Sequence, residues 1–269
     1  GAAVAVAGIT LPNDASVALA EFVAGSEEAF AGVMNHYAEV LGMSSTHFTN
    51  ATGWPDENHY TTARDIATLS AAVIRDFPDY YRWYSEKEFT FNEIRQHNRN
   101  TLLWRDPAVD GLKTGHTESA GYCLVTSAER DGMRLIAVVM GSEGMESRAR
   151  ASQSLLSFVF RFYETHRHFS GRQAVTSAQV WKGQVDALGL GVADDLWITV
   201  PRGQYKDVKT VTEVHPRIIA PVQAGAVQGS VKLMLNDEQL AVRPLIALEP
   251  VAEGGLIERL KDEVRLLLQ

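Results

Sequence analysis

Residues 110–142, DGLKTGHTESAGYCLVTSAERDGMRLIAVVMGS, decide the architecture. Two apolar runs, GYCLVTSA and MRLIAVVM, flank ERDG, a turn of hairpin length, and the preceding VDGLKTG reads as a further short strand. The near-continuous apolar character predicts a sheet covered on both faces. Lys113, Thr114 and Gly115 fall at or near a strand end. A lysine there presents positive charge to an anionic group or tunes a nearby nucleophile, and a threonine offers its hydroxyl to a carboxylate. A glycine lets a substrate lie against the backbone. By itself the triplet is more often an ordinary surface strand end.

Working outward, the upstream half carries helix signals. NDASVALAEFVAG has Asn13 or Asp14 as cap and Gly25 as stop. SEEAFAGVMNHYAEVLG opens on Ser26, closes on Gly42, and sets Phe30, Val33, Met34, Tyr37 and Leu41 on one face. In TTARDIATLSAAVIRDFP, Thr62 and Asp65 form a variant capping box, Ile66, Leu69 and Val73 follow at helical spacing, and Pro78 blocks continuation. The intervening MSSTHFTNATGWPDENHYTTARD is dense in Thr, Asn, Gly and Pro and reads as a long loop. Long ordered loops are often functional; packing is the expected role of Trp54, and that of His59 stays open.

Downstream, a helix is expected over about 146–167, with Leu155, Leu156, Val159, Phe160 and Tyr163 inward. Beyond about residue 169 short strand-like segments recur between Gly, Pro, Asn and Asp, the spacing of a small all-β sandwich. The expected organisation is residues 1–169, a sandwich over 170–254, and an amphipathic helix over 255–269 with Leu256, Ile257, Leu260, Val264 and Leu267 on one side. Its pattern favours packing against protein over a membrane-surface anchor.

Composition narrows the function. The 269 residues are 45% hydrophobic and 22% charged, with a formal net charge of −8. That charge, without any basic run, argues against a nucleic-acid partner. No stretch reaches the ~20 apolar residues that a membrane span needs. The lone Cys123 is expected to be a buried small hydrophobe and leaves the redox compartment open. His36, His47, His59 and His97 lack metal-ligand spacing, so no metal and no cofactor is expected.

YSEKEFTFNEIRQHNRNTLLWRDPAVDGLKTGHTESAGYCLVTSA, together with NDASVALAE, MGSEGMESRARASQSLLSFVFRFYET and VPRGQYKDVK, resembles the low-molecular-mass penicillin-binding proteins, the serine-type D-alanyl-D-alanine carboxypeptidases. The resemblance runs from Asn13 almost to the end of the chain. It implies an α/β (α+β) fold: a helix-covered antiparallel sheet, then a β-sandwich and an amphipathic C-terminal helix. It also implies a periplasmic enzyme that trims the terminal D-alanine of peptidoglycan pentapeptides and is acylated by β-lactams, and it raises the membrane-surface reading of residues 255–269 to equal standing. On this resemblance Lys113, Thr114 and Gly115 line the cleft and help bind the terminal carboxylate. The His116 backbone N–H lies in the oxyanion hole, Arg99 supports carboxylate recognition, and Asn13 contacts the active-site lysine and the substrate amide.

Two departures stand against that pattern. The family's Ser-x-x-Lys, whose lysine activates the nucleophilic serine, does not occur, and none of the twelve residues before Asn13 is serine or lysine. Leu11 stands where the Ser-x-Asn motif has its serine. Loss of an N-terminal portion, a foreign or rearranged head and a non-catalytic relative are the competing explanations. The first is favoured, because the remaining motifs are intact, and it predicts a chain that is poorly soluble or associates with the missing piece. A non-catalytic peptidoglycan-binding or scaffold module is the alternative function. A class A-like β-lactamase fits less well, since Glu57 is the only candidate deacylating acid in its loop and such enzymes lack the trailing sandwich.

Overall fold

The computed structural model describes residues 13–91 and 93–267, which form two compact units, one ending at Arg161 and the other beginning at Phe162. Leu11, Pro12 and the small apolar head lie outside the described residues.

The first unit opens with helices α1 (Asn13–Ala24), α2 (Glu27–Val40) and α3 (Ala63–Asp76). Ser26 caps α2 by accepting a hydrogen bond from the Ala29 N–H. The helix buries Ala31 and Ala38, with Phe30, Met34 and Leu41 half-buried beside them, while Val33 and Tyr37 face outward. The predicted stripe was therefore too wide, and small residues carry the contact. In α3 the expected capping box is half made. Thr62 Oγ1 accepts from the Asp65 N–H, but the Asp65 carboxylate turns away, accepting from the Ser45 N–H at 3.0 Å and Thr46 Oγ1 at 2.7 Å. It ties the long loop to the helix instead of closing the cap. Short helices α4 (Pro78–Tyr81) and α5 (Leu102–Arg105) flank an exposed hairpin of β1 (Glu88–Phe91) and β2 (Ile94–His97), which the sequence reading missed.

The central sheet is β3 (Val109–Thr117), β4 (Gly121–Arg130) and β5 (Met133–Ser142), antiparallel in that order. Asp131 and Gly132, at φ 50° and 76°, make the two-residue turn between β4 and β5. Positive φ at both central residues matches the twist of the flanking strands. Leu124, Thr126 and Ala128 are sealed on one side of β4, whereas β5 is mostly half-buried. The sheet is thus less fully covered than its apolar runs suggested. Helix α6 (Met145–Phe162) follows, burying Ala149, Leu156 and Phe160. The predicted helix over 146–167 overran: Tyr163 begins β6 (Tyr163–Phe169), which pairs with β9 (Leu196–Pro201). The ring-rich YETHRHF segment suits a pleated surface better than a helix.

The second unit adds β7 (Ala174–Trp181), β8 (Ala187–Gly191), β10 (Lys209–Val214), β11 (Ile218–Ile219), β12 (Val227–Leu235) and β13 (Glu238–Ala247). They form a six-stranded sheet in the order β10-β12-β13-β8-β7-β11. Its core holds Val180, Leu190, Ile218, Val231 and Leu245, and a second cluster gathers Leu196, Ile198, Val200, Leu233 and Leu235. Leu245 is fully buried. Leu245→Ala is expected to cost about 3 kcal/mol by cavity formation, read by chemical denaturation.

Helix α7 (Leu256–Leu267) carries the expected apolar side, and that side does not pack on its own chain. Leu256 and Ile257 are 85% and 83% exposed, and Leu260 and Val264 also face outward. The inward residue is Asp262, which accepts a 2.7 Å hydrogen bond from the Lys182 N–H, while Lys182 Nζ pairs with Glu263. A charged anchor decides which side turns in, so the apolar stripe is left bare. Among the described residues no helix is long and apolar enough to cross a membrane.

Candidate active site

A cleft of about 1060 Å³ in the first unit is lined by Asn13, Arg99, Lys113, Thr114, Gly115 and His116 together. Residues spread over a hundred positions thus converge on one surface, which α1 reaches with its first residue and β3 with its second half. Thr52, Gly53, Trp54 and Pro55 form a further part of the wall.

Lys113 and Arg99 give the cleft its charge. Lys113 Nζ donates to the Thr114 carbonyl at 3.0 Å. Burial, then the nearby Arg99 and Arg148 guanidinium groups, push its amine down to about 8. It stays protonated at neutral pH yet titrates close above it. Arg148 is a residue that sequence reasoning missed. It is 4% exposed, and its Nη1 donates to the Gly115 carbonyl at 3.0 Å and the Cys123 carbonyl at 3.1 Å. Gly115 and Cys123 are register partners on β3 and β4, so Arg148 pins both strands at once. Burial lowers its own pKa. An arginine on the helix face that also carries Ala149, Ser152, Leu156 and Phe160 was the available signal. His116 faces Tyr122 across the strands with ring centres 3.9 Å apart, and Arg148 lies over the same Tyr122 ring. Among the described lining residues, Glu118 is the sole acid against Arg99, Lys113 and Arg148. In a chain of net charge −8 this is a local cationic basin, suited to an anionic ligand group.

The loop wall is preformed. Asn50 Oδ1 accepts from the backbone N–H groups of Thr52, Gly53 and Trp54, and Asn50 Nδ2 donates to the Trp54 carbonyl at 2.9 Å. Gly53 takes φ 78°, which the tight turn requires. Trp54 is held 69% exposed on the cleft rim, so the packing role expected of it is corrected. His59 turns instead to the loop, its Nδ1 accepting from the Thr49 N–H. Cys123 is half-buried and lines the cleft rather than the core.

A family model described as D-alanyl-D-alanine carboxypeptidase matches residues 4–144, over half the chain, and one described as penicillin-binding protein 5, C-terminal domain, matches residues 163–253. The chain belongs to the D-alanyl-D-alanine carboxypeptidase family. It is 43% identical to the D-alanyl-D-alanine carboxypeptidase DacA of Escherichia coli over 261 residues, covering 95% of this chain and 64% of that protein. It is similar to the crystal structure of penicillin-binding protein 5 from Haemophilus influenzae at 40% identity and a TM-score of 0.87, covering 93% of this chain and 73% of that one. Penicillin-binding protein D2 from Listeria monocytogenes, solved in its cefotaxime-bound form, is similar at 32% identity and a TM-score of 0.53, covering 57% of this chain and 63% of that one. The chain spans just under two thirds of the length of the first curated relatives it matches. The α/β fold of the family, with its trailing β domain, is the one described above.

Proposed function

We propose that this cleft is the substrate-binding part of a serine-type D-alanyl-D-alanine carboxypeptidase, which takes peptidoglycan pentapeptides by their terminal carboxylate and releases the last D-alanine through an acyl-enzyme on a Ser-x-x-Lys serine that these 269 residues do not themselves supply. The observation that carries the reading is the convergence of Lys113, Thr114, Gly115, His116, Arg99 and Asn13 on one cationic cleft. In it Lys113 and Arg99 attract the carboxylate and Thr114 donates its hydroxyl. Gly115 admits the peptide backbone, and the His116 N–H faces the developing oxyanion. Asn13 orients the substrate amide. β-Lactams, which carry a carboxylate beside a strained amide, enter the same way. A periplasmic setting follows from the substrate, and the bare stripe of Leu256, Ile257, Leu260 and Val264 suits contact with a membrane surface.

No Ser-x-x-Lys occurs in the 269 residues. The alternative reading is a non-catalytic peptidoglycan-binding or scaffold relative. Labelled penicillin applied to the protein as the cell makes it separates the two: a covalent band supports the carboxypeptidase, and its absence the binding module. For the cleft itself, peptides ending in D-Ala-D-Ala are titrated as free acid and as C-terminal amide. Tighter binding of the acid is expected, and equal binding overturns the carboxylate reading.

A further inference from the structure

Asn98, Arg99 and Asn100 alternate inward, outward, inward: both asparagines are buried, Asn100 at 1% exposure, while Arg99 between them is exposed and lines the cleft. Asn98 Nδ2 donates to the Glu86 carbonyl at 3.0 Å, and its Oδ1 accepts from the Asn100 N–H at 2.9 Å. Asn100 uses both ends of its amide. Its Oδ1 accepts from the Leu102 N–H, opening α5, and its Nδ2 donates to the Gly111 carbonyl at 2.9 Å. Gly111 lies on β3, two residues before Lys113, at a register shift in the ladder. Tyr81 packs closely against it: a Cβ at this position would meet Tyr81 Oη at 2.6 Å, and that hydroxyl donates to Asp110 Oδ1 at 2.8 Å.

Two like charges in one cleft repel, and an arginine on a loose segment swings to solvent. Holding both near one point needs fixed backbones on each side. We propose that Asn100, supported by Asn98, is a positioning residue that locks the segment bearing Arg99 to the strand bearing Lys113, so that both cations meet one carboxylate. The proposal rests on the carboxylate reading above. A purely structural asparagine would stabilise the fold without governing how the two cations act together. The lowered proton affinity of Lys113, to which Arg99 contributes, is what such a lock would maintain.

The test measures two quantities in the 269-residue chain: the affinity ratio of a D-Ala-D-Ala peptide acid to its amide, and the Lys113 titration midpoint. The midpoint is followed by NMR of methyl-labelled lysines, assigned by loss of the signal in Lys113→Arg. Asn100→Ala is expected to lower the acid-to-amide ratio by about tenfold, the worth of one weakened charged contact. It should also raise the Lys113 midpoint toward the ordinary lysine value. Asn98→Ala should act in the same direction, and Asn100→Ser serves if the alanine variant does not fold. Leu156→Ala, a buried change on α6, should lower stability and leave both quantities alone. Asparagine variants that lose stability but keep the ratio and the midpoint overturn the proposal. Wild-type protein that fails to prefer the acid overturns the carboxylate reading instead, and the titration still decides the positioning role.

Discussion

Lys113→Ala should weaken binding of a D-Ala-D-Ala peptide acid by about 2–5 kcal/mol, at least about thirtyfold in Kd, with little change for the amide. The charge sits in a half-buried position on β3, and the Thr114 carbonyl it bonds loses its partner with it. Lys113→Arg keeps the charge and should retain part of the preference. The wild-type pH profile gives the same result without mutation. The free amine titrates at about 8, and a bound carboxylate raises that value because it stabilises the protonated form. Affinity should therefore be level below pH 8 and fall as pH rises between the free and bound values, by up to about tenfold per unit. Calorimetric titration at several pH values checks it, and a flat profile would count against Lys113 as the anion's partner.

Arg148→Met is the second large effect. The methionine keeps an unbranched apolar stem but leaves the Gly115 and Cys123 carbonyls without the donor that bridges them. A hydrogen bond from a charged donor contributes about 1.5–3 kcal/mol. With two affected, a loss of about 2–4 kcal/mol is expected on denaturation. The Lys113 titration should move upward as well, because one of its two cationic neighbours is gone. A variant as stable as wild type would show that α6, rather than this guanidinium, joins the two strands.

Much of the fold was legible in residue pattern. The Asp131-Gly132 turn and Ser26 cap declared themselves because their chemistry is local. The errors share a cause. At Asp65 and Asp262 a buried carboxylate serves a partner far along the chain, and at α7 this leaves the apolar side facing outward. Pattern reading sees the stripe and not the ion that outweighs it. Tyr163 is similar, since pairing with β9 ended a helix that periodicity would have continued. At the cleft the named motif residues came from family likeness. Arg148 and the paired asparagines escaped because their roles exist only once β3, β4 and the 98–100 segment meet.

The Asn50 cradle has a kinetic meaning. A rim already stapled by one amide has little disorder left to surrender when a guest arrives. Capture should then be governed by how often guest and mouth collide in the right orientation, with no slow closing movement afterwards. Observed rates should climb in proportion to guest concentration without levelling off.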